Sequence, residues 1–151
     1  MNRIIKTISG LVIFSILVGA AYAQFARPED AIKYRQSVMF IMGQHFGRMG
    51  AMVKGQVPYD REAFAGNAAV IETLSVLPWE AFLTPGSDKG KTNMKSSVLK
   101  NPADFKALAQ KLEMEVGKLA AVAKSGDFDA AKAQFGAVAQ ACKACHSKNH
   151  K

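Results

Sequence analysis

Cysteine is scarce in this chain of 151 residues, which contains only two. That number excludes a disulfide-rich scaffold and a four-cysteine zinc site. The composition, 49% apolar and 21% charged, disfavours disorder, collagen and coiled-coil rods. The sequence also lacks a nucleophile–base pair, paired carboxylates and a glycine-rich phosphate loop, and its lysines follow no nucleic-acid-binding motif. We therefore expect neither an enzyme nor a protein that binds DNA or RNA.

The first 23 residues have the three parts of a secretory signal peptide. Arg3 and Lys6 are followed by an apolar run and then by Ala21-Tyr22-Ala23. The run is shorter than the ~20 residues that span a bilayer, so an uncleaved membrane anchor is the weaker alternative. Cleavage after Ala23 would export residues 24–151 as one domain with 18 basic and 12 acidic side chains. We expect this domain to stay off the membrane.

Residues 24–151 contain four stretches of amphipathic helical periodicity and no sustained strand-like alternation, which predicts an all-α fold. The first helix begins at Pro28, and Asp60 caps the second. The third begins at Pro102, and Asp127 caps the fourth. Because two of the links are short, neighbouring helices should be antiparallel, and the simplest packing is an up-down-up-down four-helix bundle.

The remaining stretch, residues 83–101, is rich in Gly, Ser, Lys, Asn and Pro and predicts a long surface loop. Because a loop of this length is uncommon in a small domain, it is expected either to be mobile or to contain a short helical turn. Its lysines, Lys89, Lys91 and Lys95, are interpreted as solvated, with attraction of an acidic redox partner as the alternative.

The inward side of the first helix is predicted to carry a cation among apolar residues, because the stripe comprises Ala31, Arg35, Met39, Met42, Phe46 and Met49. The fourth helix has a seam spaced by three and four residues, formed by Phe128, Ala131, Phe135, Val138, Cys142 and Cys145. Both thiols thus continue a buried stripe.

The end of the fourth helix carries Cys142-Lys143-Ala144-Cys145-His146, which is the C-x-x-C-H motif for covalent attachment of c-type haem. Two thiols one turn apart can form thioether bonds with the two vinyl groups of the porphyrin, and His146 can ligate the iron. Because the thiols lie on the buried stripe, the haem should lie inside the bundle. We expect one haem c per chain.

Three other interpretations of the motif remain open. Cys-x-x-Cys is also a redox disulfide motif, although that motif usually opens a helix beside a strand. Cys142, Cys145, His146 and His150 could form a zinc site, but all four lie on one helix. Chance occurrence is the third interpretation.

The predicted domain resembles the cytochrome c′ family, which consists of high-spin haem proteins of bacterial periplasms. The resemblance rests on the C-terminal position of the haem motif, on the run 34–39 (Tyr-Arg-Gln-Ser-Val-Met) and on the run 74–79 (Leu-Ser-Val-Leu-Pro-Trp). It implies a periplasmic protein, commonly a homodimer packed through the first two helices, with a pentacoordinate iron held by His146.

The resemblance also implies several contacts with the haem. Arg35 and Gln36 would lie near the haem edge, with Arg35 facing a propionate; a salt bridge to another carboxylate is the alternative. Met39 would cover the open face of the iron, and Phe82 would be an aromatic of the distal pocket. Family members often have Arg or Lys where this chain has His150, which puts a permanent cation beside the proximal face in doubt.

Helical geometry supports an apolar distal face. Phe46 falls within ~20° of Met39 around the helix, Met42 lies about 60° away, and His45 about 120° away. No distal histidine or acid–base residue of the kind a peroxidase needs is visible. Such a pocket should favour NO and CO over O₂, which needs a hydrogen-bond donor.

The sequence therefore predicts a periplasmic haem protein that binds NO or CO, or carries single electrons to and from a redox partner protein. The alternative is a six-coordinate, low-spin electron carrier of the same bundle family in which Met39 is the sixth ligand.

Overall fold

The computed structural model describes residues 24–151, and the signal peptide predicted for residues 1–23 lies outside them. Six helices follow one another: α1 (Pro28–Val53), α2 (Arg61–Ser75), α3 (Trp79–Leu83), α4 (Ser97–Lys100), α5 (Pro102–Ser125) and α6 (Phe128–Asn149). The four long helices form the bundle that was predicted. Among residues 24–151, no helix is long and apolar enough to span a membrane.

The ends of the long helices follow the signals in the sequence. The Asp60 side chain accepts a hydrogen bond from the Ala63 N–H, and that of Asp127 accepts one from the Ala130 N–H. These bonds satisfy amide groups that a helix leaves free at its first turn. Gly126 ends α5 in the left-handed conformation, with φ of 82°, which favours glycine.

The core forms where the four long helices meet. Helix α1 packs on α2, α2 on α5, and α5 on α6. Most residues of the two predicted stripes are buried in this core or packed, partly buried, against it. The largest enclosed side chains of the main core are Phe64, Met49, Ile71, Leu119, Val116 and Val138.

Helices α1 and α6 meet at one end of the bundle. The Phe46 and Phe135 rings stack with centroids 4.1 Å apart. A Cβ on Gly50 would lie 3.3 Å from the Phe135 ring, so the absence of a side chain allows the close approach. Beyond this contact, a cavity separates the two helices.

Residues 83–101 form a surface loop only in part, and the short helical turn that the prediction left open is present. The segment contains α4 and buries Ser87, Met94 and Val98. Met94 and Val98 form a second apolar cluster with Phe105 of α5, against which Trp79 and other residues pack. The segment therefore covers one end of the bundle with its buried side chains, while residues such as Lys89 and Lys91 remain exposed.

Candidate functional site

A cavity of about 860 Å³ lies between α1 and α6. Cys142, Cys145 and His146 line it from α6, while Met39 and Phe46 line it from α1. The volume lies in the upper part of the range of about 300–1,000 Å³ that is typical of ligand sites. The tertiary structure thus brings the predicted attachment motif and the predicted distal face into one space.

The two thiols are free, partly buried and not joined to each other. Burial raises the pKa of both Cys142 and Cys145. The Asn149 side-chain amide donates to the Cys145 sulfur at 3.6 Å. A redox-active Cys-x-x-Cys needs a lowered thiol pKa, so this environment disfavours the disulfide interpretation.

The imidazole of His146 follows the second thiol directly. Partial burial and then the neighbouring His150 lower its pKa, which favours the neutral form that ligates metals. The two rings lie 5.9 Å apart, between centroids. Within residues 24–151, no three His, Cys, Asp or Glu side chains are grouped as metal ligands.

The α1 wall is apolar along the predicted stripe. Met39, Met42 and Phe46 all line the cavity. His45 does not: its Nδ1 lies 2.7 Å from the Asn67 Oδ1 on α2. The helical geometry correctly placed His45 away from this face.

Arg35 lines the cavity, and its hydrogen bonds go to α3 and to the segment after it. The guanidinium, only 2% exposed, donates to the carbonyls of Ala81 and Ser87 and to the hydroxyls of Ser87 and Thr92 at 2.6–2.9 Å. Its carbon lies 4.9 Å from the centre of the Phe82 ring. Burial lowers the pKa of Arg35 to about 10, although the negative charge of Asp88 acts to raise it. The side chain therefore remains a cation at neutral pH.

These bonds change the expected role of Arg35. Its Nε–H is the one guanidinium donor with no acceptor within the described chain, so a propionate would find a single free N–H. The proposed salt bridge to another carboxylate is absent from the structure of residues 24–151. Arg35 acts first as the anchor of residues 81–92, a role that had no signal in the sequence because its partners are backbone carbonyls and short hydroxyls far along the chain.

The other predicted residues also lie at the cavity. Gln36 lines it and donates to the Lys91 carbonyl at 3.0 Å, and Phe82 lines it beside Trp79. The Trp79 Nε1–H is buried without a partner in the described chain. A buried unpaired donor is costly, so an acceptor supplied by a ligand would stabilise it. In the sequence, Trp79 stands out only as the last residue of the run 74–79.

The residues present fit a covalently attached haem. Two thiols one turn apart and an imidazole supply the attachment and the axial ligand, and the remaining wall is mostly apolar. The unpaired Trp79 N–H and the free Nε–H of Arg35 are donors for carboxylates such as the propionates. Among the described residues, no Asp or Glu lines the cavity.

Comparison with known proteins gives consistent matches. The family model described as Cytochrome C' matches residues 30–149. The curated cytochrome c' of Rubrivivax gelatinosus is 48% identical over 126 residues, covering 83% of this chain and 97% of the relative. The crystal structure of cytochrome c' from that organism has a TM-score of 0.81 at 46% identity and covers 85% of this chain and 100% of that chain.

Solved structures of the Alcaligenes xylosoxidans protein are similar as well. A nitric oxide complex of a mutant of that cytochrome c prime has a TM-score of 0.79, and a carbon-monoxide-bound variant has one of 0.78. Both are 45% identical to this chain and cover 85% of it, and the matches cover 98% and 99% of those chains.

Proposed function

The chain belongs to the cytochrome c′ family, and from that premise we propose that it is a periplasmic gas-binding haem protein with pentacoordinate, high-spin iron. Family members carry covalently attached haem c, and relatives form complexes with NO and CO. Cys142 and Cys145 would hold one haem by thioether bonds, and His146 would be the proximal ligand. Haem c, when bound, supplies an iron that takes an axial ligand and changes its oxidation state by one electron.

The observation that carries this proposal is the apolar α1 wall of the cavity. Met39, Met42 and Phe46 present no hydrogen-bond donor there. The polar side chains nearby, Arg35 and Gln36, already donate to α3 and to the segment after it. Because bound O₂ needs a donor more than NO or CO does, this wall favours NO and CO. Met39 would have to move before a gas binds.

We propose no catalytic reaction. A peroxidase needs a polar acid–base residue on the distal side, and the α1 wall carries none among its cavity-lining residues. Single-electron exchange with a redox partner protein is the accompanying role.

The test combines visible spectra with gas kinetics on the purified holoprotein. The oxidised wild type should give a high-spin spectrum, and its ferrous form should bind NO and CO. In Met39→Ala, CO association should be about tenfold faster, equivalent to removal of ~1.4 kcal/mol of steric cost. Met114→Ala is the matched control, because Met114 is 48% exposed on α5, and its kinetics should match the wild type.

The alternative function gives a different result. If Met39 ligates the iron, the oxidised wild type will show a sharp low-spin spectrum with a methionine-to-iron charge-transfer band, and Met39→Ala will lose that band. That outcome would refute gas binding and assign the protein as an electron-transfer cytochrome with six-coordinate iron.

The location and the assembly are also part of the proposal. Export with cleavage after Ala23 predicts that the periplasmic fraction contains a species whose mass equals residues 24–151 plus one haem; the full-length mass there would contradict it.

A homodimer through α1 and α2 is supported by exposed apolar side chains: Phe40 is 67% exposed and Ile41 42% on α1, and Val76 and Leu77 follow α2. Patches of this kind mark interfaces.

A further inference from the structure

The positive charge of the described chain is concentrated in two segments, residues 86–100 and 139–151. Together they contain seven lysines and one carboxylate, Asp88. Residues 24–151 contain 18 Lys and Arg and 12 Asp and Glu, so eleven of each sign remain outside the two segments. The rest of the chain is therefore neutral, and the whole surplus belongs to these segments.

The two segments form one surface, called here the cationic face. The Lys95 N–H donates to the Asn149 carbonyl at 2.9 Å, and the Lys151 N–H donates to the Asn93 carbonyl at 2.8 Å. Met94 and His150 form an antiparallel bridge between these bonds. The backbone thus holds the lysines of the loop beside those that end the chain.

Carboxylates close to the cationic face are already paired. Asp88 is buried, lies 3.2 Å from the Lys89 Nζ and accepts from the Ser96 hydroxyl at 2.5 Å. Asp104 pairs with Lys148 at 2.9 Å. Lys91 and Lys143 are exposed and form no ion pair within residues 24–151. Their charge is available to a partner.

The cationic face borders one side of the cavity. Asn93, Lys143, Ser147 and His150 are exposed and line it, and Lys91 is tied to α1 at its rim through the Gln36 bond. A protein bound here would come close to the haem edge.

We infer that the cationic face docks a small acidic redox protein that exchanges one electron with the haem. This inference rests on the haem assigned under the proposed function. In reduction of the ferric form, the partner is oxidised by one electron and the iron becomes ferrous, with no bond or proton transferred. Long-range attraction between opposite charges speeds and orients such encounters.

A membrane surface fits the cationic face less well. The large apolar side chains that are exposed in the described chain all lie outside the two segments, on α1, on α5 and in the links before and after α2. Peripheral helices that bind bilayers insert such residues. Charge without an inserting side chain favours a soluble acidic partner.

The test measures reduction of the ferric holoprotein by two small reagents of opposite charge, Fe(II)-EDTA and hexaammineruthenium(II). At an ionic strength of ~10 mM, the single variants Lys91→Gln and Lys143→Gln should each be reduced about threefold more slowly by the anionic reagent. The double variant should be reduced about tenfold more slowly. With the cationic reagent, the same variants should be reduced faster than the wild type. At high salt the differences should vanish. The control is Lys54→Gln/Lys132→Gln, which changes net charge equally at exposed positions outside the cationic face; its rates should change less than about 1.5-fold.

A second measurement does not depend on electron transfer. On a sulfonate cation exchanger, Lys91→Gln/Lys143→Gln should elute at lower salt than the control double variant, although their net charges are equal. Equal effects of the two double variants on rate or elution would overturn the inference. So would co-sedimentation with phosphatidylglycerol vesicles at ~100 mM salt that depends on Lys91 and Lys143, which would assign the face to a membrane.

Failure of the proposed function remains distinguishable. A low-spin iron, or one that does not bind NO, would refute gas binding yet leave the contrast between the two reagents measurable. A preparation without haem would show no reducible absorption at all.

Discussion

Arg35 is a buried cation whose hydrogen-bond partners in the described chain are all uncharged. The sequence placed a cation on an inward stripe and required a partner for it, because an unpaired buried charge is costly. The structure supplies four uncharged acceptors from residues 81–92. They hold the segment after α3 against α1 at one end of the cavity.

Replacing Arg35 should therefore loosen this segment before it affects haem attachment. We expect Arg35→Ala to lower the free energy of unfolding of the holoprotein by about 3 kcal/mol, because buried acceptors lose a charged donor. Denaturant titration measures this loss, and proteolysis should cut within residues 84–96 more readily. The redox potential should shift as well.

The control for Arg35 is Arg48→Ala, which removes an exposed arginine from the same helix. Its stability should lie within about 0.5 kcal/mol of the wild type. Equal losses in the two variants would contradict the anchoring role, and an unchanged potential in Arg35→Ala would argue against a propionate contact.

At the scale of elements, a buried carboxylate joins α5 to α6. Glu115 accepts from the Gln134 side chain at 2.7 Å and from Lys111 at 2.7 Å, with Lys118 at 3.3 Å. Gln134 also donates to the Glu115 carbonyl at 3.0 Å. This cluster fixes the helix that carries the haem motif two turns before Cys142.

The Glu115 cluster should make stability depend on acid pH. The Lys111 and Gln134 hydrogen bonds lower the pKa of Glu115 from 4.5 to about 2. The folded state thus favours the ionised form of Glu115. The contribution of this ionised side chain to the stability of the fold is complete above the unfolded pKa and is lost as the pH falls from about 4.5 towards 2.

Thermal unfolding of the holoprotein between pH 6 and 2 tests this dependence. We expect the decline in Tm to be smaller in Glu115→Gln than in the wild type, although the variant starts from a lower Tm at pH 6. Glu113→Gln, which removes a carboxylate that has no ion pair in the described chain, should keep the wild-type profile. A parallel decline in Glu115→Gln would exclude Glu115 as a source.

Helix boundaries were predictable where a local interaction decides them. Asp60 and Asp127 cap the helices that follow, and Gly126 ends α5, because each effect lies within one turn of the chain. The segment 83–101 was not predictable in the same way. Its polar composition resembles that of a loop, and only packing against Phe105 and bonding to Arg35 show why Met94, Val98 and Ser87 are buried.

At the scale of the whole molecule, the dimer proposal makes a specific prediction. Ile41→Glu places a charge in the exposed apolar patch of α1 and should shift the holoprotein from dimer to monomer, as measured by light scattering after gel filtration. Burying an unpaired carboxylate in an interface is costly. Met114→Glu alters an exposed methionine on α5 and should remain dimeric. A wild type that is monomeric throughout, or an Ile41→Glu variant that stays dimeric, would contradict the proposed interface.

The sequence by itself determined the four long helices, their caps, the attachment motif and the apolar side of α1, because these depend on helical periodicity and on chemistry between near neighbours. It also determined that Met39 and Phe46 share a face and that His45 does not. The tertiary structure alone decided that this face and the thiols of α6 line one cavity, that Arg35 bonds to residues 81–92, and that two lysine-rich segments lie side by side. Those are contacts between residues far apart in the chain, and a residue pattern carries no information about which acceptor a buried donor meets once the helices have packed.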